Sequence, residues 1–264
     1  DLSRNQISDY FNVKPSSIIY TSGATESNNL AIKGYLKGIP KGHLITSIIE
    51  HKAVLEIFSQ LENEGYDVTY LRPNQEGQIT KEELLNAIKV DTIFVSLMMV
   101  NNEIGTISDY VAFKNICDLR SICFHSDATQ ALGKIYLDLT NLPHLLSFSG
   151  HKIYAPKGIG GLLINNNIKI SPIFEGGGQE RGIRSGTLPV PLIVGLGYAF
   201  TFIPQLLSFQ DLLQSYNSRI KDFLFNNFKN NILINSKSTS NTSSLLSISI
   251  HGVYWEDLFN SLTT

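Results

Sequence analysis

The feature that most constrains this chain is a repeated alternation between short apolar runs and stretches with helical spacing, kept up over its first two-thirds. Residues 17–21 (Ser-Ile-Ile-Tyr-Thr) read as a short buried strand, and 26–36 as a helix with Leu30, Ala31 and Gly34 on one face. A strand follows at 43–47. Residues 51–63 then carry Val54, Leu55, Phe58 and Leu61 at helical spacing. An alternating strand at 66–71 leads to Thr80-x-x-Glu83, a capping box that opens a helix through residue 88. The β-branched, apolar run 92–100 is a strand. After it come a helix near 108–119 and strands at 122–125 and 145–148. This rhythm predicts an α/β fold of three layers, a mainly parallel sheet covered by helices on both faces, with right-handed crossovers. Ligands of such sheets bind outside the carboxyl ends of the strands, so polar residues just after strands are the ones to weigh.

Gly158, Gly160 and Gly161, then Gly176, Gly177 and Gly178, punctuate the next part, before a helix near 192–203. From residue 206 the character changes. One long amphipathic helix is expected to about 225, then an Asn/Ser-rich stretch at 226–244, a strand at 245–250 and a helix from 253 to 262. We therefore expect a large domain over 1–205 and part of a smaller α+β domain over 206–264.

The 264 residues are 42% apolar and 17% charged, ample for a large core, and the formal net charge is −2. That balance gives no electrostatic reason to bind nucleic acid or an anionic membrane. No apolar run approaches the roughly 20 residues that span a bilayer. The polar start, Asp1 to Gln6, shows no secretory signal and no initiator Met, so the chain is expected to begin inside a longer product. Cys117 and Cys123 make no disulfide framework, which points to a reducing, cytoplasmic compartment.

Six clusters could carry chemistry. Ser147-Phe148-Ser149-Gly150-His151-Lys152 follows a strand. A Lys there, partly desolvated, could attack an aldehyde, with Ser149 and His151 facing a phosphate; the plain alternative is an exposed loop Lys. Asp127-Ala128-Thr129-Gln130 also follows a strand. Asp127 could hold a pyridinium N–H and Gln130 a phenolic oxygen, or Asp127 could simply cap a helix after the strand. Ser22-Gly23-Ala24-Thr25-Glu26-Ser27 suits a phosphate at a helix start, or an ordinary N-cap by Thr25. His51 could stack on a flat ring and move protons, or merely cap its helix. Asn102, in Asn101-Asn102-Glu103-Ile104-Gly105, could reach a ring oxygen or lie in a polar turn. The loop from Gly176 to Thr187, with Arg181, Arg184 and Thr187, suits anions, or is a mobile surface loop. Cys117 and Cys123 read as core residues rather than nucleophiles. The chain holds no Walker loop, no zinc spacing and no hydrolase elbow.

Taken together and in order, these clusters resemble the cysteine desulfurases, within the pyridoxal phosphate (PLP) enzymes related to class V aminotransferases. The matching stretches run from Thr21-Ser22-Gly23-Ala24-Thr25-Glu26-Ser27-Asn28-Asn29 through Glu50-His51-Lys52-Ala53-Val54-Leu55 and Val100-Asn101-Asn102-Glu103-Ile104-Gly105. They continue with His125-Ser126-Asp127-Ala128-Thr129-Gln130, Ser147-Phe148-Ser149-Gly150-His151-Lys152-Ile153-Tyr154 and Arg184-Ser185-Gly186-Thr187-Leu188. The likeness reaches to about residue 205 and is looser beyond.

The resemblance implies a fold type I large domain with PLP held as a Schiff base on Lys152, which would also move the substrate's Cα proton. It implies that His51 stacks on the ring and helps proton transfer, that Asp127 pairs with the ring nitrogen, and that Asn102 and Gln130 contact the phenolic oxygen. Ala24, Thr25, Ser149 and His151 would bind phosphate, and Thr187 would reach the phosphate of a second subunit in a homodimer. The implied reaction takes sulfur from L-cysteine, giving alanine and a persulfide for iron–sulfur cluster assembly or tRNA thiolation, with an acceptor or scaffold protein as partner. Two departures stand out. The family's first-strand signature is absent, and no Cys follows residue 123 to serve as nucleophile, nor does the Arg for the substrate carboxylate appear. The alternatives are another PLP lyase or aminotransferase of the superfamily, or a catalytically incompetent remnant.

Overall fold

The computed structural model describes residues 1–165, 167–235 and 240–263; part of the expected Asn/Ser-rich stretch, 236–239, lies outside them. In chain order the elements are α1 (Leu2–Phe11), β1 (Ile18–Thr21), α2 (Ala24–Leu36), β2 (His43–Ser47), α3 (Lys52–Asn63), β3 (Asp67–Leu71), α4 (Lys81–Ala87), β4 (Thr92–Ser96), α5 (Tyr110–Leu119), β5 (Cys123–Asp127), β6 (Leu145–Ser149), β7 (Gly160–Ile164), α6 (Val190–Thr201), α7 (Ile203–Ser208), α8 (Gln210–Phe228), β8 (Ile232–Ile234), β9 (Ile248–Ile250) and α9 (Trp255–Thr263).

The first seven strands form one sheet in the order β1-β7-β6-β5-β4-β2-β3. All neighbours pair parallel except β7, which runs antiparallel to both β6 and β1. Strands β2, β4, β5, β6 and β7 have almost no exposed residue, because each packs on both faces. Leu44, Phe94, Cys123, Leu145 and Leu162 enter one core with Leu30, Ala31, Val54 and Phe58 of α2 and α3. Their chain neighbours Ile45, Val95, Phe124, Leu146 and Leu163 enter the other, with Ile7 and Phe11 of α1, Phe113 of α5 and Phe200 of α6. The period-2 alternation of a strand builds this three-layer arrangement, as the rhythm of the sequence predicts.

Three elements, α1, β7 and β8, lay outside what the sequence predicts. Strand β7 begins with Gly160-Gly161, which reads as loop punctuation. A Cβ on Gly160 would lie 2.5 Å from the Phe148 carbonyl oxygen, and one on Gly161 would lie 2.4 Å from the Phe148 ring. These glycines are there because β6 presses against the strand, not because the chain turns. Helix α1 is mostly polar, yet Ile7 and Phe11, four residues apart, are wholly buried. Pro204 in the first turn of α7 has no N–H to continue α6. The long helix expected from 206 is broken at Phe209, after which α8 runs on to Phe228. Beyond it β8 and β9 form a small antiparallel sheet. Among the described residues no single helix is long and apolar enough to cross a membrane.

Candidate active site

Five strands, β1, β2, β4, β5 and β6, end toward one cavity of about 670 Å³. Ala24 and Thr25 line it after β1, His51 after β2, Asn102 after β4, Asp127 and Gln130 at the end of β5, and Ser149, His151 and Lys152 at the end of β6. Nine of the ten residues named from the sequence thus converge on one space. Thr187 does not line it and is exposed.

Asp127 forms the floor and is 5% exposed. Its Oδ2 accepts from Asn28 Nδ2 at 2.8 Å, and its Oδ1 from the backbone N–H of Thr129 at 2.9 Å. No helix lies between β5 and β6 among the described residues, so Asp127 caps none; its Oδ1 instead closes the turn that leads away from the strand. Both donors are neutral, and no cation is paired with this carboxylate among the described residues. Beneath it His125 is wholly buried between the hydroxyls of Ser96 (2.8 Å) and Ser147 (2.9 Å). Burial pulls its pKa down to about 4, against the pull of Asp127. It is neutral near pH 7 and leaves the charge of Asp127 uncompensated.

The rim is made by the start of α2. Its N-cap is Gly23 (φ 152°), which offers no side chain to the helix. Thr25 is thus the second helical residue, not the cap that was its plain alternative. The first N–H groups of a helix lack intrahelical partners and, with its dipole, favour an anion. Ser149 Oγ lies 2.8 Å from His151 Nδ1, which leaves the other ring nitrogen of His151 available. Glu26 at the same rim would oppose an anion, but Arg184 Nε bonds it at 2.7 Å. Burial alone would raise its pKa; bonds from Arg184 and the Ser22 N–H outweigh burial and hold it below the usual carboxylate range. The two cations of the glycine-rich loop are thus already engaged, one by a carboxylate and one by a carbonyl. Arg184 is paired with Glu26, and Arg181 donates to the Ser16 carbonyl.

His51 both caps α3, accepting from Ala53 N–H at 3.1 Å through Nδ1, and lines the cavity. Capping fixes the ring that a ligand would meet. Gln130 Oε1 accepts from Lys134 Nζ, which leaves its amide N–H groups as donors. Burial, with the charge of Lys152 adding, pulls the Lys134 amine down to about 8. Asn101, not Asn102, holds the turn together, bonding Ile49 O and the N–H groups of Glu103 and Ile104. Lys152 shares the cavity with Asp127 and His51 but is exposed. The dry pocket expected around it is absent, because the short turn Gly150–Ile153 carries it at the open mouth. Asn28, Lys134 and Glu50 were missed. An Asn three residues before Ala31 on a core-facing helix stripe was the available signal for Asn28.

A family model described as Aminotransferase class-V matches residues 1–264. The chain belongs to the aminotransferase class-V family. The cysteine desulfurases IscS of Cronobacter sakazakii and of Escherichia coli are both 44% identical to it over 270 residues, which is 99% of this chain and 66% of theirs. The chain thus spans 66% of the length of these curated relatives. Among solved structures, DndA from Streptomyces lividans is 36% identical with a TM-score of 0.90, over 99% of this chain and 75% of that one. A structure of SspA in complex with cysteine is 38% identical with a TM-score of 0.85, over 99% and 73%. The match extends past residue 205, over the rest of the chain.

Class-V aminotransferases are PLP-dependent, and the site fits that cofactor. The unpaired carboxylate of Asp127 suits a protonated ring nitrogen. The uncapped start of α2 suits a phosphate. Thr129, which lines the cavity, has a buried hydroxyl with no partner among the described residues. Lys152 supplies the amine.

Proposed function

We propose that this chain is the cofactor-binding part of a cysteine desulfurase, which removes sulfur from L-cysteine. The observation that carries the reading is the convergence of Lys152, Asp127 and His51 on one cavity at the carboxyl ends of the strands. The relatives named cysteine desulfurase and the cysteine held by SspA support the choice of substrate.

When bound, PLP supplies an electron-poor ring that delocalises the electron pair released at the substrate α-carbon. Asp127 holds a proton at the ring nitrogen through a charge-assisted bond. The start of α2, with Ser149 and His151, binds the phosphate. Gln130 and Asn102 donate toward the phenolic oxygen. Lys152 Nζ would anchor the cofactor and would take up the α-proton of the substrate. His51, fixed by its cap, packs on the ring and relays protons. In the net reaction the C–S bond of L-cysteine breaks, a proton replaces sulfur on carbon, and an acceptor thiol becomes a persulfide, leaving alanine.

The thiols of this chain do not suit the acceptor role. Cys117 and Cys123 are buried, and burial pushes Cys117 up to about 12 and Cys123 higher still. The acceptor thiol is therefore neither of these two, and the persulfide sulfur goes on to an acceptor or scaffold protein serving iron–sulfur assembly or tRNA thiolation. A homodimer is part of the proposal. It is supported by Val190, Val194 and Tyr198, which α6 turns outward at four-residue spacing, and by Thr187, which does not line its own chain's cavity. Two free thiols fit a reducing cytoplasm.

The test is product balance. With PLP, L-cysteine and an added dithiol, sulfide and alanine are expected in equal amounts, with none above background from Lys152→Ala. A keto acid in place of alanine would make it a transaminase, and neither product would leave only the cofactor site.

A further inference from the structure

Glu50 joins the end of β2 to the start of α3, one residue before His51. It is 5% exposed. Its Oε1 accepts from the Met98 N–H at 2.8 Å and from Ser47 Oγ at 3.1 Å. Its Oε2 is buried with no hydrogen-bond partner among the described residues. No cation pairs with it there, and the charge that acts on it is that of Asp127, of the same sign. An ionised carboxylate in this position would be desolvated, half unpartnered and repelled. A carboxylic acid carries no charge to desolvate or repel, its carbonyl oxygen takes both bonds, and only a neutral O–H is left without a partner among the described residues.

We propose that Glu50 is a positioning residue that carries its own proton, leaving Asp127 the single negative charge beneath the cavity while fastening the His51 helix start to the end of β4. The link to Met98 joins the two strand ends that supply His51 and Asn102, so one neutral group sets both. Burial supports the assignment, pushing the pKa of Glu50 to about 8 with Asp127 adding to the rise, against the lowering by the Met98 and Ser47 bonds. The groups that face Glu50 are Ser47 of β2, Met98 after β4 and Asp127 of β5. His125 stays neutral below Asp127, and His51 is the next residue in the chain.

The first test uses the 264-residue chain without cofactor. An unfolded glutamate loses its proton near 4.5, whereas the folded one keeps it to about 8. Between these values the unfolded state binds fewer protons, so stability contributed by this group falls as pH rises. Glu50→Gln is neutral at every pH and lacks that fall. The thermal midpoint of Glu50→Gln, relative to wild type, should therefore climb steadily from pH 5 to pH 8. Carbon-13 NMR of glutamate carboxyls in the wild type should show one group titrating near 8, whether or not the variant folds well. A midpoint difference constant with pH, together with no carboxyl titrating above about 6, overturns the proposal.

The second test rests on the PLP reading. Glu50→Gln should hold PLP as the wild type does, while Glu50→Ala, which loses the Met98 tether, should bind it about tenfold more weakly. Equal weakening in both variants overturns the neutral-acid assignment. A wild type that takes up no PLP overturns the cofactor reading alone, and the pH series still decides the state of Glu50.

Discussion

Asp127 is the residue whose environment says most. It is buried, bonded by two neutral donors, and faces a neutral His125. A carboxylate so placed has room for one more N–H donor and reason to hold a cation. Asp127→Asn should remove a charge-assisted bond worth about 1.5–3 kcal/mol, weakening PLP binding roughly ten- to a hundredfold by fluorescence titration. An affinity within twofold of the wild type would remove Asp127 from the site. The sequence makes Asp127, Lys152 and His51 legible because each comes at or just after a strand end, in runs that together and in order match one family. It does not make Asn28 or Glu50 legible as partners, because what counts there is burial against another segment. Nor does it reveal that Lys152 lies at an open mouth, since exposure depends on what the rest of the fold covers.

At the scale of elements, β7 is the least forgiving. It is the one antiparallel strand of the large sheet and lies between β1 and β6, two strands whose ends line the cavity. Gly161→Ala would drive a methyl group into the Phe148 ring. Overpacking of this kind costs about 1–3 kcal/mol, which for a chain this long lowers the melting midpoint by several degrees. An unchanged midpoint would mean that the ring moves aside freely. The same glycines hid the strand from the sequence, because a missing side chain marks a turn and a close contact alike. The helices with strong apolar stripes, α3 and α5, were legible nearly to the residue. So was α4, whose capping box forms as written, Thr80 Oγ1 accepting from Glu83 N–H at 3.1 Å. Helix α1 was not, since only Ile7 and Phe11 of its few apolar residues mark a buried side.

For the whole molecule, two buried groups beside the cavity pull stability in opposite directions with pH. His125 resists protonation down to about 4 when folded but takes a proton near 6.5 when unfolded. Its contribution is present above 6.5 and lost as pH falls toward 4. Glu50 does the reverse, losing stability as pH rises from 4.5 to about 8. The two nearly cancel between 4.5 and 6.5. Above 6.5 Glu50 alone acts and lowers stability by about 2 kcal/mol up to pH 8. Denaturant titrations should show this alkaline loss in the wild type and not in Glu50→Gln. A wild type as stable at pH 8 as at 6.5 would contradict it. The outward face of α6 belongs to this scale too. Val194→Asp should convert a dimer to a monomer in light scattering, and a wild type already monomeric would remove the proposed second subunit.

The central claim is that one amine, that of Lys152, is the cofactor's anchor. The direct measurement is to incubate the protein with PLP, reduce with borohydride and map the modified peptide by mass spectrometry. One phosphopyridoxyl group on Lys152 is expected, with the visible absorbance band lost in Lys152→Ala. A label scattered over surface lysines, or carried by another lysine with Lys152 untouched, would contradict the account.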